Sequence, residues 1–498
     1  MNGRDNLRRI IIATIISFAF FLAYDYFILQ PQAKIKEQKI TSKQKPVSKD
    51  VKDVKIVAEV KSEKFDIKID EFGRISKFLL RDKKFNEKGK ELNLVSPKLP
   101  KPLEIRFANE HLNNLAFKIP VSVDKKEIII KNKPQTLTIE QNLNGLIVKK
   151  ILTFYPNGRY DLKLILSKNV KYFISPGYRP SVAVDALTIH GALIKKKDGT
   201  LKIIEDGDAE NETINNAIIA AGFDRYYTTL FFNKNPFKVV VVPDEEKNPV
   251  LFIESDKNLN LIGYIGPKYV DTLASIDKEL IDVVQYGVGT FFARNLFILL
   301  DFLYKIVGSW GLAIILLVVI VRLLLFPLTY KGMVSMYKLK ELAPKMKEIQ
   351  LKYKNEPQKM QMHMMKLYKE HNANPLGGCL PLLIQIPIFY GIYKLLLYSI
   401  ELKGAHFLWI KDLSEMDPYF ILPILMGITM YIHQKLTPTN FQDKTQEKIF
   451  KFLPVIFTIM MATFPAGLVL YWTTNNILSI LQQLIINKIM ESKKKAKA

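Results

Sequence analysis

The chain has 498 residues, a formal net charge of +24 and a mean hydropathy near zero, at +0.06. Its single cysteine, Cys379, excludes an intramolecular disulfide and any metal site built from several cysteines. The positive charge is not accompanied by paired Cys/His spacings or an aromatic ribonucleoprotein motif, which disfavours nucleic-acid binding. Apolar runs near the N-terminus and after residue 290, with a lysine-rich stretch between them, favour a membrane protein instead.

The N-terminal segment resembles the start of a signal peptide but lacks its cleavage site. Arg4, Arg8 and Arg9 precede an apolar run over residues 10–29. No small-residue cleavage pattern follows, so residues 1–30 are predicted to be an uncleaved transmembrane anchor. Residues 31–50 are rich in Lys, Gln, Ser and Pro, which predicts a flexible linker.

Residues 51–288 carry the pattern of a β domain. Short segments rich in Ile, Val and Phe alternate with turn signals such as Pro156-Asn157-Gly158 and Asp198-Gly199. Many short strands at this spacing predict a β-sandwich. The clearest predicted strands are residues 127–130, 137–143, 146–155, 160–167, 237–243 and 251–255.

The rest of the chain is predicted to be membrane-associated. Residues 289–308 combine apolar bulk with Arg294, Asp301 and Lys305, which is typical of a helix lying in the membrane interface. Residues 309–490 are predicted to form a five-helix core, followed by a basic tail at 491–498. The five apolar runs of that core are residues 311–328, 376–398, 419–432, 452–464 and 466–486.

The charges of the short loops predict the orientation in the membrane. Residues 331–375 contain ten lysines and four glutamates, and the segment from Lys488 onward contains five lysines and one glutamate. Residues 399–417 are instead net acidic. Because positive loops stay inside, this alternation predicts six spans, with both termini in the cytoplasm and residues 31–308 outside. The region 31–309 is also net basic, but long translocated domains are largely exempt from the rule.

Arg322 is the main functional candidate. It lies inside the apolar run of residues 311–328, where a charge costs roughly 3 kcal/mol on insertion scales. The simplest interpretation is a structural arginine paired with an acid on a neighbouring helix. No other apolar span of the C-terminal half has Asp or Glu in its interior, which favours a functional arginine facing a water-containing cavity.

Polar residues recur in the later spans. Gln385 lies between Pro381 and Pro387, and Gln434 lies at the inner end of the 419–432 run. In the last span, one helical face is predicted to carry Trp472, Asn476, Ser479 and Gln483, flanked by Tyr471, Asn475 and Gln482. Each alone fits a hydrogen bond between helices. Together with Arg322 they fit a hydrated groove.

Residues 331–373 are predicted to form a cytoplasmic helical hairpin, broken near Asn355-Glu356-Pro357. Methionines are abundant there, and methionine is common on surfaces that bind varied apolar partners. Packing of the methionines in the seam of the hairpin itself is an equally good interpretation. The chain has no GxxxxGK[ST], GxSxG or HExxH motif, and its six histidines are scattered, so no enzyme activity is predicted.

Several segments resemble the YidC family of membrane protein insertases. They are GSWGLAIILLVVIVRLLLFPLT (308–329), NPLGGCLPLLIQIPIFYGIY (374–393), LWIKDLSEMDPYFILPILMGITM (408–430), PVIFT (454–458) and FPAGLVLYW (464–472). The N-terminal anchor and the large outer domain resemble the Gram-negative form of the family, in which a periplasmic β-supersandwich is joined to the helical core.

This resemblance implies an insertase of the bacterial inner membrane with no cofactor and no nucleotide. Its implied partners are nascent membrane proteins, the ribosome, the Sec translocon and membrane lipids. The implied groove residues are Arg322, Gln385, Gln434, Tyr471, Trp472 and Asn476. Some relatives have a threonine one turn before the arginine, whereas this chain has Val318, which is therefore not expected to be a polar groove contact.

Two other function classes remain open at this level. A transporter or channel would also place a charge inside the membrane. The five C-terminal spans, however, show no inverted repeat of the kind that many transporters carry. A membrane-anchored protein that acts on carbohydrate through its outer domain is the other alternative, since fold by itself does not settle function.

Overall fold

The computed structural model describes residues 54–86, 90–184, 188–287, 290–354, 356–371, 380–436 and 444–495. The predicted anchor at 1–30, the linker at 31–50 and the end of the basic tail, residues 496–498, lie outside these described residues.

The first half of the described chain is rich in β-strands and forms two sheets. A five-stranded sheet has the order β4-β3-β2-β1-β7, and a larger sheet has the path β13-β12-β14-β15-β17-β10-β9-β8-β6, joined by β16, β11 and β5. The strands are β1 Ile56–Ser62, β2 Phe65–Asp70, β3 Ile75–Leu80, β4 Leu92–Asn93, β5 Ile105–Phe107, β6 Ser122–Val123, β7 Glu127–Ile130, β8 Gln135–Asn142, β9 Ile147–Phe154, β10 Arg159–Leu166, β11 Tyr172–Ile174, β12 Gly191–Lys196, β13 Leu201–Glu205, β14 Glu212–Phe223, β15 Tyr227–Pro243, β16 Pro249–Ser255 and β17 Leu259–Pro267.

Alternating burial explains why these segments form strands. Along β9, every second residue is buried while its neighbours are exposed or half-buried, which is the period of two expected of a pleated strand. The turn between β9 and β10 contains Gly158 at φ +90°, a conformation that glycine adopts at little cost. Each of the six strands predicted from sequence is present, and the β-rich character of this region is confirmed.

A cluster of five ionisable side chains lies inside the β domain. Arg74 donates to Asp70 at 2.8 Å and to Glu104 at 3.0 Å, and Arg106 pairs with the second oxygen of Glu104 at 2.8 Å. Lys150 donates to the carbonyl oxygens of Gly73 and Leu103, both at 2.8 Å. Every member of the cluster is buried. Buried ionisable groups of this kind are tolerated because each is paired or hydrogen-bonded.

Three shorter helices are described before residue 310: the first lies within the β domain, between β5 and β6, and the other two follow β17. They are α1 Glu110–Ala116, α2 Val270–Ile276 and α3 Thr290–Val307. One face of α3 is buried, while Phe291, Ile298, Phe302 and Ile306 are exposed on the other side. Arg294 of α3 lies 2.8 Å from Asp282, and Lys305 pairs with Asp301 of the same helix at 2.6 Å. The predicted interfacial helix therefore has a buried apolar face and an exposed apolar face. Its charged side chains form ion pairs within the protein.

The helical half begins with α4, Trp310–Lys352, which is 43 residues long. The sequence predicts an apolar span at 311–328 and, separately, the first arm of a hairpin beginning at 331, whereas the structure has one continuous helix through both. Pro327 and Pro344 lie inside this helix without ending it. The predicted break near residue 355 is present, because α5 begins at Pro357, where the missing N–H of proline has no cost.

Four further helices of the core lie in the described residues: α6 Leu380–Tyr398, α7 Ile421–Leu436, α8 Lys444–Met461 and α9 Ala466–Lys495. The predicted tight turn at Pro465 separates α8 from α9. Helix α7 approaches α8 closely at Gly427, where a Cβ atom would lie 2.0 Å from the Thr458 hydroxyl oxygen. A larger residue at 427 would therefore push these two helices apart.

Large apolar side chains are exposed mainly in the helical half. Leu324 and Ile459, for example, are 74% and 70% exposed, whereas Ile129, Ile147, Val184 and Leu201 are the exposed large apolar residues described in the β domain. Contiguous exposed apolar surface marks contact with lipid or protein. Among the described residues, one stretch is long and apolar enough to cross a membrane by length and composition, Trp310–Leu339. The total of six spans stays a prediction.

Candidate intramembrane groove

Arg322 lies on α4 and binds the last helix. Its Nε donates to the Asn475 side-chain oxygen at 3.0 Å, and Nη1 donates to the Gln482 side-chain oxygen at 3.2 Å. Its Nη2 donates to the Asn475 backbone carbonyl oxygen at 3.1 Å and to the Ser479 hydroxyl. All three guanidinium nitrogens are therefore hydrogen-bonded to α9, and Arg322 is half-buried.

The partners of Arg322 are neutral. Within the described part of the chain, the structure gives Arg322 no ion pair with Asp or Glu. The acid expected of a structural arginine is thus replaced by amides and a hydroxyl, which solvate the guanidinium without cancelling its charge. The result agrees with the distribution of acids in the sequence and adds partners that the sequence did not identify.

The face of α9 that meets Arg322 is Asn475, Ser479 and Gln482, spaced four and three residues apart. Gln482 also donates to the Thr329 hydroxyl on α4 at 2.7 Å. From the sequence, Asn475 and Gln482 were expected at the flank of a face made by residues 472, 476, 479 and 483. Both sets have helical spacing and polar side chains, so periodicity alone did not distinguish them.

Tyr471 and Gln385 form a second contact near the arginine. The Gln385 amide on α6 donates to the Tyr471 hydroxyl at 3.3 Å. Trp472, on the next position of α9, packs edge-on against Phe389 with ring centroids 4.7 Å apart, and against Phe457 at 5.6 Å. Trp472 therefore lies in an aromatic cluster between α6, α8 and α9, and its ring contacts are apolar.

Asn476 and Gln434 tie other helices together. The Asn476 amide donates to the Met426 carbonyl oxygen and to the Thr429 hydroxyl on α7, both at 3.4 Å. The Gln434 amide donates to the Phe450 carbonyl oxygen on α8. The structure thus joins Arg322, Asn475, Ser479 and Gln482 in one hydrogen-bonded group. Asn476 instead joins α9 to α7, and Gln434 joins α7 to α8. Their role in a groove stays a prediction.

Val318 is fully buried in the helix core, as expected of a residue that is not a polar groove contact. In the described residues, no group of three or more His, Cys, Asp or Glu side chains is arranged to hold a metal ion. What the arrangement offers is a positive charge with polar neighbours inside an apolar helical region, and this is suited to attracting an anionic group.

The helical hairpin formed by the second half of α4 and by α5 shows where some of the methionines lie. Leu342 of α4 and Leu367 of α5 are buried together between the two helices, and Met346 packs against this pair. Met362 and Met365 are 60% and 49% exposed. Met346 therefore fills part of the seam, whereas Met362 and Met365 present an apolar surface outside it.

Comparison with known proteins supplies the family. A family model described as 60Kd inner membrane protein matches residues 302–494. The chain is 49% identical to the membrane protein insertase YidC of Campylobacter jejuni, with 98% of each chain covered. It is 50% identical to that of Wolinella succinogenes, covering 98% of this chain and 96% of the relative.

Similarity extends to a third relative and to a solved structure. The Helicobacter pylori YidC insertase is 46% identical over 100% of this chain and 99% of its own length. A crystal structure of an active YidC insertase with its first transmembrane domain resolved is 20% identical, with a TM-score of 0.39, over 86% of this chain and 94% of that one. Near-full-length identity of 46–50% shows that this chain belongs to the YidC family of membrane protein insertases.

Proposed function

We propose that this protein inserts nascent membrane proteins into the bacterial inner membrane through a polar groove between its helices. Its relatives are named membrane protein insertases, which supports the general function. The observation that carries the groove is the bonding of Arg322 to neutral groups of α9. Such a cation keeps an attraction for acidic residues of a substrate, and Coulomb attraction strengthens where water is scarce.

The topology in this proposal follows the loop charges. The termini are cytoplasmic, residues 31–308 are periplasmic, and residues 1–30 supply a first span before the five-helix core at 309–490. Residues 31–50 act as the linker, 51–288 as the β-sandwich domain, 289–308 as the interfacial helix and 491–498 as the basic tail. Basic loops on the inside and an acidic 399–417 loop on the outside support this arrangement.

In the proposed mechanism, a short hydrophilic tail of the substrate enters from the cytoplasm. Arg322 attracts its acidic residues, while the Asn475 and Gln482 side chains replace part of the lost hydration. Apolar spans of the substrate then leave into lipid along the exposed apolar surface of the core. Gln385, Gln434, Tyr471, Trp472 and Asn476 line or support the path.

Recruitment is assigned to the cytoplasmic face. The hairpin presents Met362 and Met365 to solvent, and flexible methionines suit varied apolar segments. The basic tail is placed to attract ribosomal RNA phosphates by charge. The ribosome and the Sec translocon are the proposed partners, the protein working alone or with the translocon, and no nucleotide is consumed.

The test uses purified protein in lipid vesicles and a small single- or double-spanning substrate with an acidic outer tail. Insertion above that into empty vesicles is expected. Arg322→Gln, which keeps a polar side chain but loses the charge, should lower insertion of acidic-tailed substrate about tenfold, in line with a loss of about 1.4 kcal/mol of attraction. Arg322→Lys is the matched control that keeps the charge.

Two results would contradict the proposal. If the protein gives no more insertion than empty vesicles, the proposed insertase function is wrong. An equal loss for acidic and neutral tails makes Arg322 a structural residue. A flux of small ions through the purified protein would favour the channel class instead.

A further inference from the structure

The β domain and the membrane helices are connected by more than a linker. Leu193, Ile219, Phe223 and Phe232 of the β domain belong to the same buried apolar cluster as residues of α3, α4, α6 and α9. Between α6 and α7, the short 3-10 helix Ile400–Leu402 contributes Ile400 to the β-domain core and Leu402 to the helical core. The position of one half is therefore fixed relative to the other.

Two hydrogen bonds from the β domain end on the last turn of α6. Arg225 Nε donates to the Leu397 carbonyl oxygen at 2.7 Å. The Ile189 backbone N–H donates to the Tyr398 hydroxyl at 2.6 Å. The last carbonyls of a helix have no partner within the helix, and a cation is favourable at that end. Arg225 therefore caps the outer end of α6 from a different domain.

The turn that carries Arg225 is held rigidly. Neighbouring Asp224 is fully buried, and one of its oxygens accepts from the N–H groups of Tyr226 and Tyr227 at 3.0 and 2.8 Å. Its other oxygen accepts from the N–H groups of Val182 and Ala183 at 3.2 and 3.0 Å. The Arg225 guanidinium also lies 4.5 Å from the centroid of the Tyr226 ring. The cap is thus built on a fixed support.

The part of α6 that Arg225 holds also reaches the candidate groove. Pro387 lies inside α6 and removes one donor from the helix ladder, so the outer half from residue 388 depends on its contacts for its position. Phe389 lies eight residues before Leu397, about 12 Å along the axis. Its ring packs 4.7 Å from Trp472 and 6.3 Å from Tyr471. Gly391 allows α3 to lie against the same half, since a Cβ there would be 3.0 Å from Phe292 Cβ.

We propose that Arg225 is a positioning residue for the insertase groove: by capping the outer end of α6, it sets the height of Phe389 against Trp472 and Tyr471. The inference rests on the proposed function and assigns the β domain a part in it. The β domain acts as a support that keeps the aromatic cluster packed. Substrate does not have to touch Arg225 for this role.

The experiment uses the full-length protein with Trp310 and Trp409 replaced by Phe, so that Trp472 is the remaining fluorophore. Quenching of Trp472 by acrylamide and the insertion rate are measured in the same vesicles. Because a hydrogen bond from a charged group shifts an equilibrium by about tenfold or more, Arg225→Ala should increase the quenching constant about twofold or more and lower the insertion rate. Arg225→Lys should recover part of both.

Two further variants bracket the result. Tyr398→Phe removes the acceptor of the Ile189 N–H but keeps the ring, and it should shift both readouts in the same direction by a smaller amount. Arg81→Ala is the matched control, because Arg81 pairs with Asp66 in the same domain and is 42% exposed. Arg81→Ala should leave Trp472 quenching and insertion unchanged.

The outcomes separate this inference from the function. If the wild-type protein inserts substrate and Arg225→Ala matches Arg81→Ala in both readouts, Arg225 does not position the groove. If wild-type insertion fails but Trp472 quenching responds to Arg225→Ala and Tyr398→Phe, the positioning stands and the proposed function falls. Loss of insertion with unchanged quenching also overturns the positioning role.

Discussion

Two arginines, the buried Arg74 of the β domain and the half-buried Arg322 of the helical core, have hydrogen-bond partners of opposite character. Arg74 in the β domain bonds to the carboxylates of Asp70 and Glu104. Arg322 in the helical core bonds to an amide, a hydroxyl, a backbone carbonyl and a second amide. Both satisfy the donors of the guanidinium, but only the first neutralises its charge.

This difference separates a structural cation from a candidate functional one. A charge that only holds a fold together is best cancelled, because an uncompensated buried charge is costly. Arg322 keeps an uncompensated charge, and neutral groups hold its side chain in place. The comparison therefore predicts that changing Arg74 affects stability, and that changing the charge around Arg322 affects the handling of substrates.

The largest expected effect is on folding. Arg74→Met leaves two carboxylates buried with less compensation, and breaking a buried pair costs about 3–5 kcal/mol of unfolding free energy. Urea unfolding of the full chain in detergent, followed by β-sheet circular dichroism, measures it. Arg81→Met should cost about 0–1 kcal/mol, as expected of an exposed pair. Equal losses of unfolding free energy for Arg74→Met and Arg81→Met would show that the buried cluster contributes no more to stability than an exposed ion pair.

The second prediction makes the two sites alike. Asn475→Asp places a carboxylate where an oxygen already lies 3.0 Å from Arg322 Nε. At an effective dielectric constant of about 20, a pair this close is worth about 4 kcal/mol, so insertion of acidic-tailed substrate should fall about tenfold or more while the helices stay folded. Asn487→Asp, nearer the C-terminal end of α9, is the control. Unchanged insertion in Asn475→Asp would mean that the charge of Arg322 is not used.

The third prediction concerns the pH dependence of β-domain stability. Burial lowers the pKa of Lys150 to about 7 from its ordinary 10.5. Between these values the unfolded chain binds a proton that the native state does not, so stability rises with pH, by about 1 kcal/mol per unit. The gain in unfolding free energy is therefore fully present above pH 10.5, and it is lost as the pH falls toward 7. Unfolding free energies at pH 7.5, 8.5 and 9.5 should give a shallower slope for Lys150→Met, and parallel lines would refute the assignment.

The smallest effect is expected at Gln434. Its amide bonds to the Phe450 carbonyl oxygen, so it joins α7 to α8 and carries no charge. Gln434→Leu should lower insertion by no more than about threefold, consistent with the loss of one neutral hydrogen bond. The assay is the same vesicle insertion used for Arg322→Gln. A loss as large as that of Arg322→Gln would place Gln434 beside the arginine in function.

The sequence predicted much of the fold because its patterns are local. The period of two in β9, the Pro-Asn-Gly turn before β10 and the break at Pro357 each follow from a few consecutive residues. The continuous α4 was not predicted, because the apolar run ends at Leu328 and a lysine-rich segment follows it. Proline inside a long helix is tolerated where neighbouring helices hold both sides of it.

The candidate site was predicted in part. Arg322 is identified by its cost in an apolar span, and no structure is needed to see it. Its partners were less accessible, because two overlapping faces of α9 carry polar residues at helical spacing. Only the rotation of α9 against α4 brings Asn475, Ser479 and Gln482 to the guanidinium.

By itself, the sequence determined that the chain has a β-rich outer domain and a helical membrane half, and that Arg322 lies in an apolar span where a charge is unfavourable. It also determined the membership of the YidC family. These follow from local periodicity, from the cost of a charge in an apolar span and from identity along nearly the whole chain. Tertiary structure decided which groups surround Arg322, how the 43 residues of α4 continue past Pro327, and that Arg225 caps α6. Such contacts join residues more than 150 positions apart, and no local pattern encodes that pairing.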